Sequence, residues 1–328
     1  MRSRGGAAVK AVEAVLDAAG DSVPRVMERV EHRMAEVSVD HGATLARHAG
    51  DTIAAGGKRL RPLLVCLAAG VPPPESDSLV QAAVAVELVH GATLVHDDVL
   101  DASMLRRGRP TVVATGGRRM ATATGDLLFS RAFAELSLAG SIEAVRVLSR
   151  ASSELALGEL MQRSDAWRGD VTVERYLERC RLKTAVLFRA ACEVGALEGE
   201  APVAALGTFG EQIGLAFQIL DDVLDVSGPP ERTGKPQGAD LLDGTVTLPL
   251  IEARARDAQL AALDLRDLRT TADARAVCER IAATNALQTA RARALDLVAR
   301  SKSILPSLPE RQRAALELVA DGVVERYS

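Results

Sequence analysis

The chain has 328 residues, of which 48% are hydrophobic and only 2% are aromatic, and its formal net charge is −4. This length allows one large or two ordinary domains, and the abundance of alanine, leucine, arginine and glutamate favours an all-α protein. The acidic balance excludes a general basic field for nucleic acid, and no apolar run reaches the length of a membrane span. No change of composition or low-complexity linker divides the chain, so we predict that residues 1–328 form a single domain.

Cysteine usage indicates a reducing compartment. The four cysteines are scattered, without the paired spacing of a zinc site or a disulfide frame: Cys66, Cys180, Cys192 and Cys278. The N-terminal residues contain no uninterrupted apolar segment, so a signal peptide is not expected. We therefore expect a cytoplasmic protein without a membrane anchor.

Helical apolar spacing from about Val9 to Ile53 predicts two packing helices at the start of the chain. The segment Gly56–Pro62 follows, with the sequence GGKRLRP. Its two glycines can let the backbone approach an anion that its three cations bind, and a solvated basic turn is the alternative. The glycine and lysine spacing of a P-loop is absent.

A helix of small and apolar residues is predicted from Ser78 to Leu100, and it ends in an acidic cluster. Asp97 and Asp101 lie four residues apart and share a helix face, with Asp98 about 100° further round. Like charges at this spacing repel each other, and burial of an unpaired carboxylate costs still more. The cluster therefore indicates either bound cations or an internal salt-bridge network.

The same pentapeptide, Asp-Asp-Val-Leu-Asp, returns in a second predicted helix at 203–226. There Gln218, Asp221, Asp222 and Asp225 repeat the geometry of the first cluster. If the two helices face each other, their carboxylates form an all-oxygen site, which suits Mg²⁺ better than zinc.

Three arginines follow the first acidic cluster, at Arg106, Arg107 and Arg109. Arginine matches phosphate oxygens bidentately, so acids beside arginines suit a complex of Mg²⁺ with a diphosphate. An internal salt-bridge network does not explain the second acidic cluster. His90 lies two helical turns before Asp97 on the same face, where it is either a core residue or a ligand.

Further helical regions are predicted at 125–163 and 176–194. Residues 227–249 are rich in glycine and proline and predict a long loop that contains Lys235. Loops of this length often act as lids. From residue 250 onward, amphipathic helices with alternating charge predict a scaffold.

In this order, the motifs resemble those of the trans-isoprenyl diphosphate synthases, or polyprenyl synthetases, over nearly the whole chain. The matching segments are Gly56-Gly57-Lys58-Arg59-Leu60-Arg61-Pro62, Asp97-Asp98-x-x-Asp101 with Arg106-Arg107, Gly158-Glu159-x-x-Gln162, Lys183-Thr184, and Phe217-Gln218-x-x-Asp221-Asp222-x-x-Asp225 with Gly234-Lys235. The resemblance implies a bundle of long helices around a deep central cavity, which is the isoprenoid synthase fold, and a homodimer.

The resemblance also implies an Mg²⁺-dependent condensation of isopentenyl diphosphate with an allylic diphosphate, farnesyl or geranylgeranyl. The diphosphate departs, the isopentenyl double bond attacks the allylic cation, and no nucleophilic side chain is needed. The implied metal ligands are Asp97, Asp98, Asp101, Asp221, Asp222 and Asp225. The implied allylic diphosphate contacts are Arg106, Lys183 and Lys235, with help from Gln218, and Thr184 is a further implied substrate contact. The implied isopentenyl diphosphate contacts are Lys58, Arg61, His90 and Arg107. The implied catalytic set is Asp97, Asp98, Asp101, Asp221, Lys183 and Lys235.

Product length is expected to depend on the cavity floor. In this family the residues four and five before the first aspartate form part of that floor, and this chain has Thr93 and Ala92 there. Small side chains leave the floor open, so we expect a product longer than farnesyl. A bulky residue deeper in the cavity would make geranylgeranyl diphosphate the product. Thr245 stands where many members have lysine, so the resemblance does not imply the phosphate contact of that lysine for this chain.

Three other functions are alternatives. Terpene cyclases also ionise diphosphates, but they normally lack the Gly-Gly-Lys-Arg segment and the second acidic motif. Non-catalytic subunits of heteromeric synthases tend to lose the aspartates, and this chain keeps all six. A helical structural protein with two salt-bridge clusters would not be stabilised by Mg²⁺ and diphosphate.

Overall fold

The computed structural model describes residues 6–39, 48–50, 52–53, 59–106, 108–229 and 236–325. Apart from one hairpin of two-residue strands, the regular elements within these ranges are helices. The all-α prediction is therefore confirmed. Lys58, Arg107 and Lys235 lie outside the described residues.

In chain order the elements are α1 (Gly6–Ala19), α2 (Ser22–Val39), α3 (Leu60–Ala69), α4 (Asp77–Leu100), β1 (Leu105–Arg106), β2 (Arg109–Pro110), α5 (Val112–Leu138), α6 (Ile142–Asp165), α7 (Val173–Cys180), a π-helical segment (Arg181–Ala185), α8 (Val186–Glu198), α9 (Val203–Ser227), α10 (Ala239–Leu242), α11 (Leu248–Arg254), α12 (Ala258–Ala262), a 3₁₀ turn (Leu265–Asp267), α13 (Thr271–Ala282), α14 (Ala286–Ser303) and α15 (Glu310–Glu325). The antiparallel strands pair Leu105 with Pro110 and Arg106 with Arg109.

Helix α4 is the centre of the bundle. The Ser76 side chain caps its start by accepting a hydrogen bond from the Leu79 N–H at 3.2 Å, and the helix ends where Asp101 N donates to Asp97 O at 2.8 Å. Helices α2, α3, α5 and α8 pack around it and bury apolar residues on every side. A helix that is apolar on all faces belongs in the interior, and α4 thereby brings the first acidic cluster to one end of the core.

Helices α4 and α9 are long and apolar enough to pass a compositional test for membrane spans. Within the protein, however, 67% and 50% of their most apolar stretches are buried. Both belong to one contiguous cluster of buried apolar side chains that extends from Val15 to Val323. Core helices pass the same test, so this finding is weak evidence for a span.

Helices α8 and α9 approach each other closely because glycines line their contact. A Cβ atom added at Gly210 would lie 2.5 Å from Phe188 O, and one added at Gly214 would lie 2.7 Å from Ala185 Cα. This close packing brings the second acidic cluster on α9 beside the π-helical segment.

Some element boundaries differ from the sequence prediction. The helical region predicted at 125–163 is divided into α5 and α6, because Gly140 adopts φ +78° and the Ser141 side chain caps α6. Helix α5 also begins earlier than predicted, since the Thr111 side chain caps it. The loop predicted at 227–249 contains the short helix α10.

Candidate active site

One cavity of about 950 Å³ lies at the ends of α4 and α9. Five predicted site residues line it, namely Arg61 from α3, His90 and Asp98 from α4, Arg106 from β1 and Asp221 from α9. Apolar side chains, including Phe188 and Phe217, supply much of the remaining wall. A large, mostly apolar cavity with a few convergent charged groups is the usual form of a small-molecule site.

The Asp98 carboxylate forms a close ion pair in the cavity wall. Asp98 is 5% exposed, and Nε and Nη2 of Arg106 both reach its Oδ1 atom, at 2.9 and 2.8 Å. Arg106 lies in strand β1, where it pairs with Arg109 of β2. Burial raises the pKa of Asp98, and the arginine opposes that rise. In this structure, Arg106 therefore neutralises one of the acids predicted to bind metal.

Asp97 on α4 lies within the electrostatic influence of Lys183. Burial raises the pKa of Asp97 to about 6, Lys183 opposes the rise, and Glu159 adds to it. A carboxyl whose pKa approaches neutrality beside a specific charged partner is a candidate functional group.

A continuous chain of ion pairs connects α4 with the π-helical segment. Arg163 Nη2 lies 2.7 Å from Asp101 Oδ1, and Arg163 Nε lies 2.8 Å from Glu159 Oε1. The other Glu159 oxygen accepts a hydrogen bond from Lys183 Nζ. Glu159 belongs to the Gly-Glu-x-x-Gln motif, whereas Arg163 was not predicted as a site residue. The position of Arg163 one helical turn after Glu159 is the sequence signal that indicates it.

The π-helical segment presents Lys183 and Thr184 beside α6. Gly158 allows this approach, because a Cβ atom there would lie 2.5 Å from the Lys183 backbone nitrogen. Short π-helical turns inside longer helices are frequent at functional sites. The Gly-Glu-x-x-Gln motif therefore combines the close approach at Gly158 with the partner of Lys183 at Glu159.

The second acidic cluster is divided between the cavity and the interior. Asp221 lines the cavity, whereas Asp222 and Asp225 are 4% and 3% exposed. Tyr176 donates a hydrogen bond to Asp222 Oδ2 at 2.7 Å, and Gln218 donates to Oδ1 at 2.8 Å. Burial raises the pKa of Asp222 to about 8, and the hydrogen bonds from Tyr176 and Gln218 oppose that rise. The buried hydroxyl of Tyr176 was not anticipated from the sequence.

Gln218 links α9 to the π-helical segment. It accepts a hydrogen bond from Thr184 Oγ1 at 2.7 Å, so these two predicted substrate contacts lie together and bond to each other. Further along, Asp225 Oδ2 accepts from the Asp240 backbone N–H at 3.3 Å. These contacts hold both ends of the second cluster to neighbouring segments.

Arg61 and His90 line the cavity beside a buried acid, Glu87. The Arg61 guanidinium lies 4.6 Å from the centre of the Phe188 ring, at the distance of a cation–π contact. Glu87 is 6% exposed, and its Oε1 accepts from Arg59 Nη1 at 3.1 Å. Burial raises the pKa of Glu87, and the charges of Arg59 and Arg61 oppose that rise.

The predicted floor residues Ala92 and Thr93 do not themselves line the cavity, but Ala92 lies one helical turn from Leu88 and from Val95, which do. Ala92 is 0% exposed, and Thr93 is half-buried with its hydroxyl donating to His90 O at 2.8 Å. Among the described residues, α4 lines the cavity with Glu87, Leu88, His90, Gly91, Leu94, Val95 and Asp98.

The donor set fits a hard divalent cation. Within the described ranges, no three metal-ligating side chains already converge as a cage. Mg²⁺ is usually held by one or two carboxylates together with substrate phosphates and water, so a cage is not expected. Asp98 and Asp221 offer carboxylate oxygens to one cavity from different helices. This arrangement fits a cation that binds with a diphosphate.

The sequence pattern of the polyprenyl synthetase family matches residues 43–284. Heptaprenyl diphosphate synthase component 2 from Geobacillus stearothermophilus is 39% identical over 300 residues, which cover 90% of this chain and 92% of that protein.

Solved structures of more than 30% sequence identity share the fold of this chain. The polyprenyl synthase from Caulobacter crescentus, in complex with calcium and isoprenyl diphosphate, has a TM-score of 0.87, 36% identity and full coverage of both chains (100% and 100%). A decaprenyl diphosphate synthase from Rhodobacter capsulatus has a TM-score of 0.87 and 34% identity, covering 95% of this chain and 99% of that one. The chain therefore belongs to the polyprenyl synthetase family and is a prenyltransferase.

Proposed function

We propose that the chain is a trans-polyprenyl diphosphate synthase that condenses isopentenyl diphosphate with an allylic diphosphate, farnesyl or geranylgeranyl. The observation that carries the proposal is the cavity that Asp98 and Asp221 share with Arg61, His90 and Arg106. Carboxylates from two helices suit a metal ion, and the cations suit diphosphate oxygens. We infer that residues 1–328 act as one catalytic domain, in the cytoplasm.

Mg²⁺ is the proposed metal, and it would supply charge stabilisation for the departing diphosphate. The proposed direct ligands are Asp97 and Asp98 on α4, Asp101 directly after it, and Asp221 on α9. Asp222 and Asp225 are almost fully buried, so we propose that they act by holding α9 and the following segment in place. The hydrogen bonds of Tyr176 and Gln218 to Asp222 support this division of roles.

Arg106, Lys183 and Lys235 are proposed to bind the allylic diphosphate, while Gln218 and Thr184 orient the segment that carries Lys183. In the structure, Arg106 pairs with Asp98 and Lys183 pairs with Glu159. The diphosphate would take the place of these carboxylates. Both cations then lie where negative charge grows as the carbon–oxygen bond breaks, which is where electrostatic stabilisation accelerates a reaction.

Lys58, Arg61, His90 and Arg107 are proposed to bind isopentenyl diphosphate. Its double bond attacks the allylic cation, and the proton lost from the product passes to the departed diphosphate. The side chains of this protein therefore bind, orient and exclude water, and none forms a covalent intermediate. Apolar wall residues such as Phe188 and Phe217 support the proposed exclusion of water, which is needed because water would quench the allylic cation.

The proposed product is longer than farnesyl diphosphate. The small side chains of Ala92 and Thr93 motivate this proposal, and geranylgeranyl diphosphate is the alternative product. The names of the relatives from Geobacillus stearothermophilus and Rhodobacter capsulatus describe heptaprenyl and decaprenyl synthases, which supports the longer product.

A homodimer is the proposed assembly. The end of α5 and the length of α6 expose large apolar side chains, namely Leu138, Ile142, Leu157 and Leu160, at 63%, 69%, 55% and 68%. A second copy that covers them would remove this apolar area from water. One relative is named as component 2 of its synthase, which favours a second candidate, the catalytic subunit of a two-component enzyme.

Product analysis by mass spectrometry tests the proposal. Purified protein is incubated with Mg²⁺, isopentenyl diphosphate and, in turn, geranyl, farnesyl or geranylgeranyl diphosphate. We expect a series of products that extends beyond farnesyl. Asp98→Asn should lower turnover by about 100-fold or more, because it removes a charge that acts where the diphosphate departs. Asp296→Asn on α14 is the matched control, since its carboxylate is exposed and pairs with Arg300 in an exposed contact.

Each other outcome points to a different function. Failure to elongate any primer would contradict the proposal for the chain alone. Elongation that requires a second polypeptide would favour the two-component enzyme. Release of diphosphate without isopentenyl diphosphate, together with a cyclised hydrocarbon, would favour a terpene cyclase.

A further inference from the structure

Arg163 is the cation nearest the first acidic cluster that the proposed reaction does not use. It lies in the last turn of α6, and its guanidinium bridges two carboxylates, Asp101 and Glu159. Its side chain is 43% exposed, so it is neither a core residue nor a residue buried in the cavity wall. A guanidinium can hold two carboxylates at once because its donors point in fixed, different directions.

Glu159 is shared between two cations. Its Oε1 atom accepts from Arg163 and its Oε2 atom accepts from Lys183, and only 16% of its side chain is exposed. Burial raises the pKa of Glu159, but Lys183 and Arg163 outweigh burial and the pKa is lowered. The carboxylate is therefore ionised, and its single negative charge is divided between a lysine and an arginine.

This sharing decides how tightly Lys183 is held. If Arg163 is removed, the whole charge of Glu159 acts on Lys183. A lysine that is bound more firmly to a nearby carboxylate is less available to any other anion. The effect needs no movement of the backbone, because Glu159 and Lys183 are already in contact.

We propose that Arg163 is a positioning residue that shares Glu159 with Lys183 and thereby keeps Lys183 exchangeable between Glu159 and the allylic diphosphate. This inference rests on the proposed function, in which Lys183 binds that diphosphate. It assigns to Arg163 an indirect role, through Glu159, and no contact with substrate.

A double-mutant cycle separates this role from a merely structural one. The variants are Arg163→Met, Glu159→Gln and the two together, and Arg146→Met is the matched control. Arg146 lies on the same helix and pairs with Glu143 on the exposed surface. Binding of inorganic pyrophosphate is measured by calorimetry at saturating Mg²⁺, so that any effect on metal binding through Asp101 is held constant. Urea unfolding midpoints show that each variant is folded.

We expect Arg163→Met to weaken pyrophosphate binding by roughly 2- to 5-fold, the range of one partly exposed ion pair. Glu159→Gln should bind pyrophosphate at least as tightly as the wild type, because Lys183 loses its competing partner. Adding Arg163→Met to Glu159→Gln should then change binding by less than about twofold. In steady-state assays the KM for isopentenyl diphosphate should be unchanged in all variants.

Two outcomes would overturn the inference. One is an Arg163→Met variant that binds pyrophosphate as tightly as the wild type. The other is an equal loss with and without Glu159→Gln, which would mean that Arg163 acts independently of Glu159. Failure of the proposed function itself is distinguishable, because the wild type would then neither bind pyrophosphate with Mg²⁺ nor elongate a primer.

Discussion

Gly158→Ala tests whether the close approach of α6 to the π-helical segment positions Lys183. The added Cβ atom would lie 2.5 Å from the Lys183 nitrogen and 2.8 Å from the Leu182 carbonyl carbon. Both are backbone atoms, so no side chain can rotate away to make room. Ordinary contact begins near 3.4 Å, and the two segments must therefore separate by about 0.9 Å.

Two opposing effects set the change in stability. Replacement of glycine by alanine inside a helix stabilises it by about 0.8–1.0 kcal/mol. Overpacking of a close contact costs about 1–3 kcal/mol. The expected net loss in the free energy of unfolding is therefore about 1 kcal/mol, which leaves the protein folded.

The effect on function is expected to be much larger than the effect on stability. A displacement of about 1 Å at a catalytic group can lower the rate by about 100-fold. We expect Gly158→Ala to lower kcat/KM for the allylic diphosphate by ~10- to 100-fold. Urea unfolding and steady-state kinetics are measured on the same preparations, and pyrophosphate binding by calorimetry reports Lys183 directly.

Gly91→Ala is the matched control for stability. Gly91 also lies inside a long helix, α4, but a Cβ atom there would meet Leu128 Cδ1 at 3.7 Å, an ordinary contact. This variant should gain about 1 kcal/mol from helix propensity alone. If Gly158→Ala gained as much as Gly91→Ala and bound pyrophosphate like the wild type, the close contact would not position Lys183 and the reasoning would be refuted.

Three further predictions concern other parts of the site. Ala92→Phe should shorten the main product as seen by mass spectrometry, and an unchanged product length would remove Ala92 from the floor. Arg61→Met should raise the KM for isopentenyl diphosphate by ~10- to 100-fold and leave the KM for the allylic diphosphate unchanged, since it removes one charge-assisted contact; equal changes in both would contradict a dedicated subsite. Burial raises the pKa of Asp222 to about 8, so its contribution to stability is fully present below pH 3.8 and is lost as the pH rises toward 8. Asp222→Asn should therefore remove part of the decline in unfolding free energy between those pH values. The slope of that decline is at most about 1.4 kcal/mol per pH unit. If chelator-treated wild type and variant showed the same dependence of unfolding free energy on pH, the raised pKa of Asp222 would be contradicted.

The features that sequence predicted correctly are local ones. The helix predicted at 78–100 coincides with α4 to within a residue, because its apolar run and its acidic end occupy consecutive positions in the sequence. The helix predicted at 203–226 matches α9 equally well. Both acidic clusters could therefore be placed at helix ends before any tertiary contact was known.

The features that sequence did not predict depend on which elements meet. No residue in Arg181–Ala185 distinguishes a π-helical turn from an ordinary helix, yet the turn decides how Lys183 is presented. The contact of Arg106 with Asp98 requires the hairpin, and that of Arg163 with Asp101 requires the C-terminal end of α6 to reach α4. Spacing places Ala92 on α4, but which face borders a cavity is set by the neighbouring helices.

The salt bridges of the site bear on the alternative that the acidic clusters are only structural. Arg106 and Arg163 do neutralise Asp98 and Asp101, as an internal network would. That network does not account for Asp97, which forms no ion pair among the described residues and whose pKa burial raises to about 6. Asp221, from the second cluster, lines the same cavity as Asp98.

A complex of a divalent cation with a diphosphate accounts for both the acidic and the basic side chains of the site. The cation would replace the arginines as partner of the carboxylates, and the diphosphate would replace the carboxylates as partner of Arg106 and Lys183. The two exchanges compensate each other, because Asp98, Asp101, Arg106 and Lys183 each gain a partner of the same charge as the one they lose. Arg163 and Glu159 remain paired with each other. A metal alone would leave the cations unpaired, and a diphosphate alone would leave the acids unpaired, each at the cost of a partly buried charge. The site is therefore expected to bind Mg²⁺ and diphosphate with positive cooperativity, and calorimetric titration of each in the presence and absence of the other measures it. Equal affinity for pyrophosphate with and without Mg²⁺ would contradict the exchange and return the clusters to a structural role.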